Sequence, residues 1–352
     1  AADAASVAGA VQLSLGASTQ QVTAAAKADA ARNQFGEAQG AAVNVAINSG
    51  AKTVKVDISK PANLYLASLF VADAPTIGVS ATAGITTSAE NAPVCILALH
   101  PTSSSTIKFS GNNGTIHAPG CAVVANSTST KGPNSNLTPM PTRCGAVDDP
   151  LVNLPAPSAA SGACNHTNFN ASGTVTLNPG VYCGGINVQG NARVTLNAGI
   201  YVLRNGGFRA GGNSQTTGNG VALYLSGESS NVNLADADFE LAGTPLVNIA
   251  APTTGPLAGI AIYQDDFAAT GTITHRIVGS GEQNFTGTLY FGNQNLEFKG
   301  NGTANGQAPF TSVIANKIEY TGNGTLFFNS NYEGTSVPQI SGLDFPKVVL
   351  LQ

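Results

Sequence analysis

The chain has 352 residues, with 15 Lys and Arg against 19 Asp and Glu and a net charge of −4, so it offers no basic footprint for nucleic acid. Charged residues make up 10% and hydrophobic residues 42%, with 41 glycines. That much apolar matter argues against disorder, and the Gly and Asn-Gly interruptions after residue 90 argue against an all-helical protein.

No stretch is long and apolar enough to span a bilayer, and the first residues do not read as a signal peptide. The abrupt, helix-like start leads to the expectation that an upstream segment has been removed. The mature chain is then not membrane-spanning.

Residues 1–33 hold thirteen alanines and no proline, which favours a long Ala-rich N-terminal helix. Ala4, Ala8, Val11 and Leu15 fall on one helical stripe, and Ser18 with Gln21 forms a capping-box pattern for a second start. From residue 41 the apolar period shifts to two. Val43, Val45 and Ile47 alternate, as do Val54, Val56 and Ile58, and then Ile77, Val79 and Ala81, predicting strands over about 43–47, 53–58 and 76–82. Leu64 to Phe70 reads as a short apolar helical segment. Residues 1–90 thus read as a small α+β domain, with a joint between Ser88 and Pro93.

Beyond Cys95 the chain copies itself. Val175-Thr-Leu-Asn-Pro-Gly-Val181-Tyr182 returns nineteen residues later as Val194-Thr-Leu-Asn-Ala-Gly-Ile200-Tyr201. Gly185 to Asn191 is answered by Gly207 to Asn213. Gly111 to Gly120 is a worn third copy, and Gly300-Asn-Gly-Thr303 recurs at Gly322. Periods of this size mark stacked repeats. The predicted fold class is therefore mainly β, a right-handed parallel β-helix (solenoid) over 91–352 preceded by the α+β domain. Asparagines would ladder at the corners. The stretch 126–162, with six prolines, reads as a surface excursion with the character of a functional loop.

The five cysteines are Cys95, Cys121, Cys144, Cys164 and Cys183. None forms a CxxC pair, so two disulfides and one odd thiol in an oxidising compartment fit better than a zinc site. Of the possible arrangements, Cys95–Cys121 and Cys164–Cys183 each join segments about one repeat apart.

Ala1 to Ala5 with Ala8-Gly-Ala10, Val54 to Pro61 with Leu66 to Phe70, and Val79 to Ala83 resemble the N-terminal part of TadG-like (TadE/TadG-like) proteins of tight-adherence (Flp) pilus assembly. Cys95 to Pro101, Ala118 to Cys121 and Leu177 to Ile186 resemble the repeats that longer members carry. The resemblance covers most of the chain. It implies a bacterial envelope or surface protein whose N-terminal helix continues a membrane segment, which this sequence lacks, and it carries no catalytic residues over.

Parallel β-helices often cleave acidic polysaccharides, and Asp265-Asp266 with His275 and Arg276 offers a candidate carboxylate pair with a uronate-binding base. Neighbouring residues on a strand face opposite ways, and a surface turn is the stronger reading. Asp236, Asp238 and Glu240 alternate like a calcium-binding edge, though three acids on one face more often mean an exposed edge. Eight Asn-x-Ser/Thr triplets occur, among them Asn113, Asn126, Asn284, Asn301 and Asn323, most of them explained by composition. His100, His117, His166 and His275 are scattered and read as solvated. Tyr182 and Tyr201 repeat with the coil and read as stacked core aromatics.

These observations predict a non-catalytic extracellular structural protein at a bacterial surface, pilus-associated or filament-forming, with no cofactor. Its partners would be copies of itself or other pilus and envelope components. Ala4, Ala8, Val11 and Leu15 would offer one assembly surface. Val348, Val349, Leu350 and Leu351 would close the last coil or dock onto a neighbour. The competing expectations are a polysaccharide lyase or hydrolase and a monomeric glycan-binding adhesin.

Overall fold

The computed structural model describes the chain apart from residues 15–16, 63–74, 86–91, 111–113, 133–135, 139–146, 228–237, 266–271, 279, 302, 341–343, 346–347 and 352. Leu15, Cys144, Asp236, Asp266, Asn113 and the Leu64 to Phe70 run therefore lie outside the described residues. The chain forms two compact units, Ala1–Ala92 with Asp344–Gln352, and Pro93–Leu343.

The helices are α1 (Ala2–Ser14) and α2 (Thr19–Arg32). The strands begin with β1 (Ala42–Asn48), β2 (Thr53–Pro61), β3 (Thr76–Ile85), β4 (Ala92–Ala98), β5 (Ile107–Phe109), β6 (Thr115–His117), β7 (Ala122–Ala125), β8 (Ser129–Lys131) and β9 (Asn136–Thr138). Then come β10 (His166–Ala171), β11 (Thr174–Leu177), β12 (Gly180–Val188), β13 (Arg193–Leu196), β14 (Gly199–Arg204), β15 (Phe208–Gly212), β16 (Gln215–Asn219), β17 (Val221–Ser226), β18 (Phe239–Gly243) and β19 (Leu246–Ala250). The last are β20 (Ile260–Gln264), β21 (Thr274–Val278), β22 (Gln283–Gly300), β23 (Thr303–Ala304), β24 (Thr311–Gly322), β25 (Thr325–Phe327), β26 (Asp344–Phe345) and β27 (Val348–Leu351).

In the first unit an antiparallel sheet of order β1-β2-β3-β27 carries the helices. Its core is made of small side chains: Ala5, Ala10, Val22, Ala26, Ala30, Val54, Val56, Ile58 and Ala83 are buried. Gly9 is where α1 meets the sheet, since an added Cβ would lie 2.8 Å from Val54 Cγ1. The long N-terminal helix expected over 1–33 is instead two shorter ones. α1 stops at Ser14, and Ser18 caps α2, its hydroxyl accepting from Gln21 N while Gln21 Oε1 accepts from Ser18 N at 2.9 Å. The packed face of α1 is Ala2, Ala5, Ser6, Gly9 and Ala10. Of the expected stripe, Ala4 is exposed and Ala8 and Val11 are half-buried. Val348 to Leu351 do not close a repeat; they pair antiparallel with β3, from Val348 opposite Ile85 to Leu351 opposite Thr82.

The second unit is a parallel sheet in which the sequence repeats lie side by side. Val175 pairs with Val194 and Leu177 with Leu196, while Ile186 pairs with Phe208. One row runs β14–β17–β20 and another β15–β18–β21. β12 pairs with both β14 and β15, and β22 with both β20 and β21. The two rows therefore join at each end, and the main sheet closes into a parallel barrel of eight strands.

That closure corrects the expected right-handed parallel β-helix. The repeats specify which strands are neighbours. They do not reveal that β12 and the 18-residue β22 are long enough to take part in two rows and tie them together.

Chain order is not followed either. β24 pairs with β4 and β5, and β25 with β6, so residues 92–117 lie beyond 311–327. A third row, β11–β13–β16–β19, also reaches β22.

The interior is apolar and aromatic. Tyr182, Tyr201, Leu203, Phe208, Leu223, Phe239, Ile262, Phe285 and Leu289 are buried in one cluster. Phe208 stacks on Phe239 at 5.7 Å, and Tyr182 meets Tyr201 with tilted rings 5.8 Å apart. Such burial stabilises by about 25 cal/mol per Å2 of apolar surface.

A second apolar column, Val202, Tyr224, Tyr263, Tyr290, Ile314, Leu97 and Val124, is outside that cluster yet buried. Part of its cover is the Pro-rich excursion. Val147 is held by Asn126 through two bonds of 2.8 Å. Tyr290 donates to Asp149 at 2.7 Å and Tyr263 to the Leu151 carbonyl at 3.3 Å. Arg204 Nη2 donates to the carbonyls of Ala160 and Gly162. From Val147 onward the excursion is thus a strap laid across the rows.

A candidate binding trough

Of the acid–base candidates, Asp266 lies outside the described residues, and Asp265 Oδ2 accepts from Ser226 Oγ at 3.4 Å. Along β21, His275 and Ile277 point into the core while Arg276 points out. His275 Nδ1 accepts from Phe239 N at 2.9 Å, and Nε2 donates to Gln264 Oε1 at 2.7 Å. The ring stacks on Phe291 at 4.4 Å. Complete burial drives its pKa down to about 3, because the charged imidazolium would lose its hydration. His275 is thus a neutral core group, which corrects the expectation of a solvated histidine. Arg276 pairs with Glu297 at 3.4 Å.

The expected calcium-like edge is also different. Asp238 is only 7% exposed, and its Oδ1 accepts from Arg209 at 3.0 Å. Glu240 Oε2 lies 3.9 Å from the same guanidinium. The arginine occupies the place a cation would take. No group of three His, Cys, Asp or Glu suited to a metal occurs among the described residues.

Register explains these pairs: Arg209, Glu240, Arg276, Glu297, Glu319 and Lys108 form one column across successive strands. Lys108 meets Glu319 at 2.6 Å. Exposed pairs of this kind contribute about 0–1 kcal/mol each.

Disulfides join Cys95 to Cys121 and Cys164 to Cys183. Tyr182 and Tyr201 are fully buried, their hydroxyls donating to the carbonyls of Asn178 and Asn197. Asn126 and Asn284 are buried; Asn126 Nδ2 donates to the Val147 carbonyl at 2.8 Å and Asn284 Nδ2 to Glu282 Oε1 at 3.2 Å. Neither amide is free to carry a glycan.

A different feature of the third row is open to solvent. Strand alternation sends Val194, Thr216 and Val247 inward, leaving Thr195, Thr217 and Asn248 outward. Thr176, Thr195, Thr217, Asn248 and Asn284 are register partners in sequence, about 4.8 Å apart from strand to strand. Beside this column stand Asn197, whose Nδ2 donates to Asn178 Oδ1 at 2.8 Å, and Asn219, opposite Ala250. Thr195, Thr217, Asn248, Asn197 and Asn219, with Thr286 and Thr335, line an open trough of about 650 Å3.

No charged residue and no aromatic ring lines it. The side chains of Thr195, Thr217 and Asn248 are exposed and have no hydrogen bond to any described residue. Sequence reasoning saw these threonines only as part of the repeat. The available signal was the polar parity of Thr-x-Thr and Thr-x-Asn steps within it.

No family model, curated protein or solved structure matches the chain. The two disulfides fit an oxidising compartment outside the cytoplasm. No helix among the described residues is long and apolar enough to cross a membrane.

Proposed function

We propose that this protein is a non-catalytic extracellular structural protein acting in adhesion at a bacterial surface, pilus-associated as its resemblance to TadG-like proteins implies. The observation that carries this reading is the open, uncharged Thr and Asn column on a rigid hydrogen-bonded sheet. Such a column can hold a ligand through hydroxyl and amide groups, and no carboxylate, histidine, lysine or thiol lines it to activate its threonine hydroxyls. The titratable groups elsewhere support it: His275 is locked neutral inside, and Arg209, Arg276 and Lys108 are engaged in ion pairs.

The test is adhesion of beads coated with the purified protein to glycan-coated surfaces, scored beside beads coated with an unrelated disulfide-bonded protein. Retention above that control is expected. Equal retention on every surface would sink the reading.

End-to-end assembly is a second reading, favoured by one observation. Among the described strands β10 pairs with β12 only, and most of its residues are exposed, so it offers a sheet edge that another strand could extend. Sedimentation of the purified protein across a range of concentrations checks this. Polymers are expected if the edge assembles, and a monomer throughout counts against it.

A further inference from the structure

We infer that the trough over Thr195, Thr217 and Asn248 binds a neutral polysaccharide chain, an inference that rests on the adhesion reading and names its ligand class. The chemistry of the lining selects that class. Hydroxyls and primary amides each donate and accept, as sugar hydroxyls do. An anionic polymer would need cations, and none lines the trough. The nearest arginine in the row, Arg193, is bonded to Gln215 Oε1 at 2.6 Å. An apolar ligand or the greasy face of a peptide helix would need exposed large side chains, whereas Leu196 beneath the trough is buried.

Geometry adds direction. Outward groups recur once per strand, about 4.8 Å apart, close to the length of one pyranose ring. An extended chain lying across the strands would therefore present a hydroxyl to each rung in turn. Asn197 and Asn219 form a second line of groups beside the first. The strands themselves are fixed by parallel pairing on both sides, so little order is lost on binding. Each exposed hydrogen bond replaces one to water and gains little. A single trough should therefore bind at roughly millimolar affinity, and a surface bearing many copies would hold by avidity.

The experiment is isothermal titration of the full chain with cellohexaose, chitohexaose and maltohexaose, with polygalacturonate as the anionic probe. The variants are T217V/N248L, which keeps the volume but removes hydrogen bonding, and Thr217→Arg, which fills the trough with a charged side chain. All these positions are exposed, and unchanged melting temperatures establish that both variants fold.

The expected result is binding of at least one neutral hexasaccharide, lost by about tenfold or more in both variants. Three results would overturn the inference: no neutral probe binds, the variants bind as the parent does, or polygalacturonate binds in preference.

The bead assay separates the two levels. Beads of T217V/N248L that adhere as well as the parent leave the adhesion reading standing and remove the trough. Parent beads that adhere to nothing, while the hexasaccharide still binds in the trough, remove the adhesion reading and leave the site.

Discussion

His275 is a neutral group held inside the core. It is fully buried, accepts from Phe239 N and donates to Gln264, and its pKa is held at about 3 against about 6.5 in an unfolded chain. Above pH 6.5 both states are neutral at this position and it adds no pH dependence. As pH falls below 6.5 the unfolded chain takes up a proton that the folded chain refuses. Stability then drops by up to about 1.4 kcal/mol per pH unit until the folded pKa is reached.

Urea unfolding at pH 7 and pH 5 should show that loss, and His275→Leu should flatten it while lowering stability at pH 7, because Phe239 N–H and Gln264 lose their partner. An unchanged profile in the variant would place the acid sensitivity elsewhere.

The burial of His275 was legible in principle. It shares strand parity with Ile273 and Ile277, both buried, whereas proximity in sequence to Asp265 and Arg276 pointed toward a site. Asp238 is the converse case. Nothing local announces Arg209, which arrives through the pairing of β15 with β18.

At the scale of elements, local signals performed well and long-range joins did not show. The capping box at Ser18 and Gln21 is a contact three residues apart, so sequence alone exposes it. The echo of residues 175–177 in 194–196 is likewise realised as parallel pairing in register, whereas its continuation is shifted by two residues, with Gly180 opposite Tyr201 and Tyr182 opposite Leu203.

The repeated glycines have a reason of the same kind. Gly185, at φ +82°, lies where an added Cβ would be 2.2 Å from the Gly207 carbonyl oxygen, so adjacent backbones pass closely at that corner and leave no room for a side chain. What sequence could not expose is the double membership of β12 and β22, which closes the barrel, or the placement of residues 92–117 after 311–327. The first turns on which of several neighbouring strands one long strand pairs with, the second on contacts between residues some two hundred apart, and no local pattern encodes either.

The strap is a third such case. Leu151 is buried and its carbonyl accepts from Tyr263. Leu151→Ala should cost about 2 kcal/mol or more, read as a lower melting temperature with activity-independent folding probes. A variant with parental stability would show that residues 147–163 merely lie on the surface.

For the whole molecule, two disulfides tie together segments of the second unit that the rows already place side by side. Cys164 and Cys183 are 19 residues apart, and a loop of that size stabilises by about 3 kcal/mol through the unfolded chain. The double variant Cys164→Ala with Cys183→Ala should therefore melt several degrees lower, and a reducing agent should lower the parent by at least as much. Insensitivity to both would remove the oxidising-compartment argument. The spacing of about one repeat made this pairing readable, because neighbouring strands bring such cysteines together.

The functional account rests on recognition without turnover by a surface of hydroxyls and amides. The most direct measurement incubates the intact protein with neutral hexasaccharides and with polygalacturonate, following retention and newly formed reducing or unsaturated sugar ends in the same samples. The account predicts saturable retention of a neutral hexasaccharide with no new ends from any substrate. New chain ends that disappear in Asp265→Asn, or no retention of any neutral glycan, would contradict it.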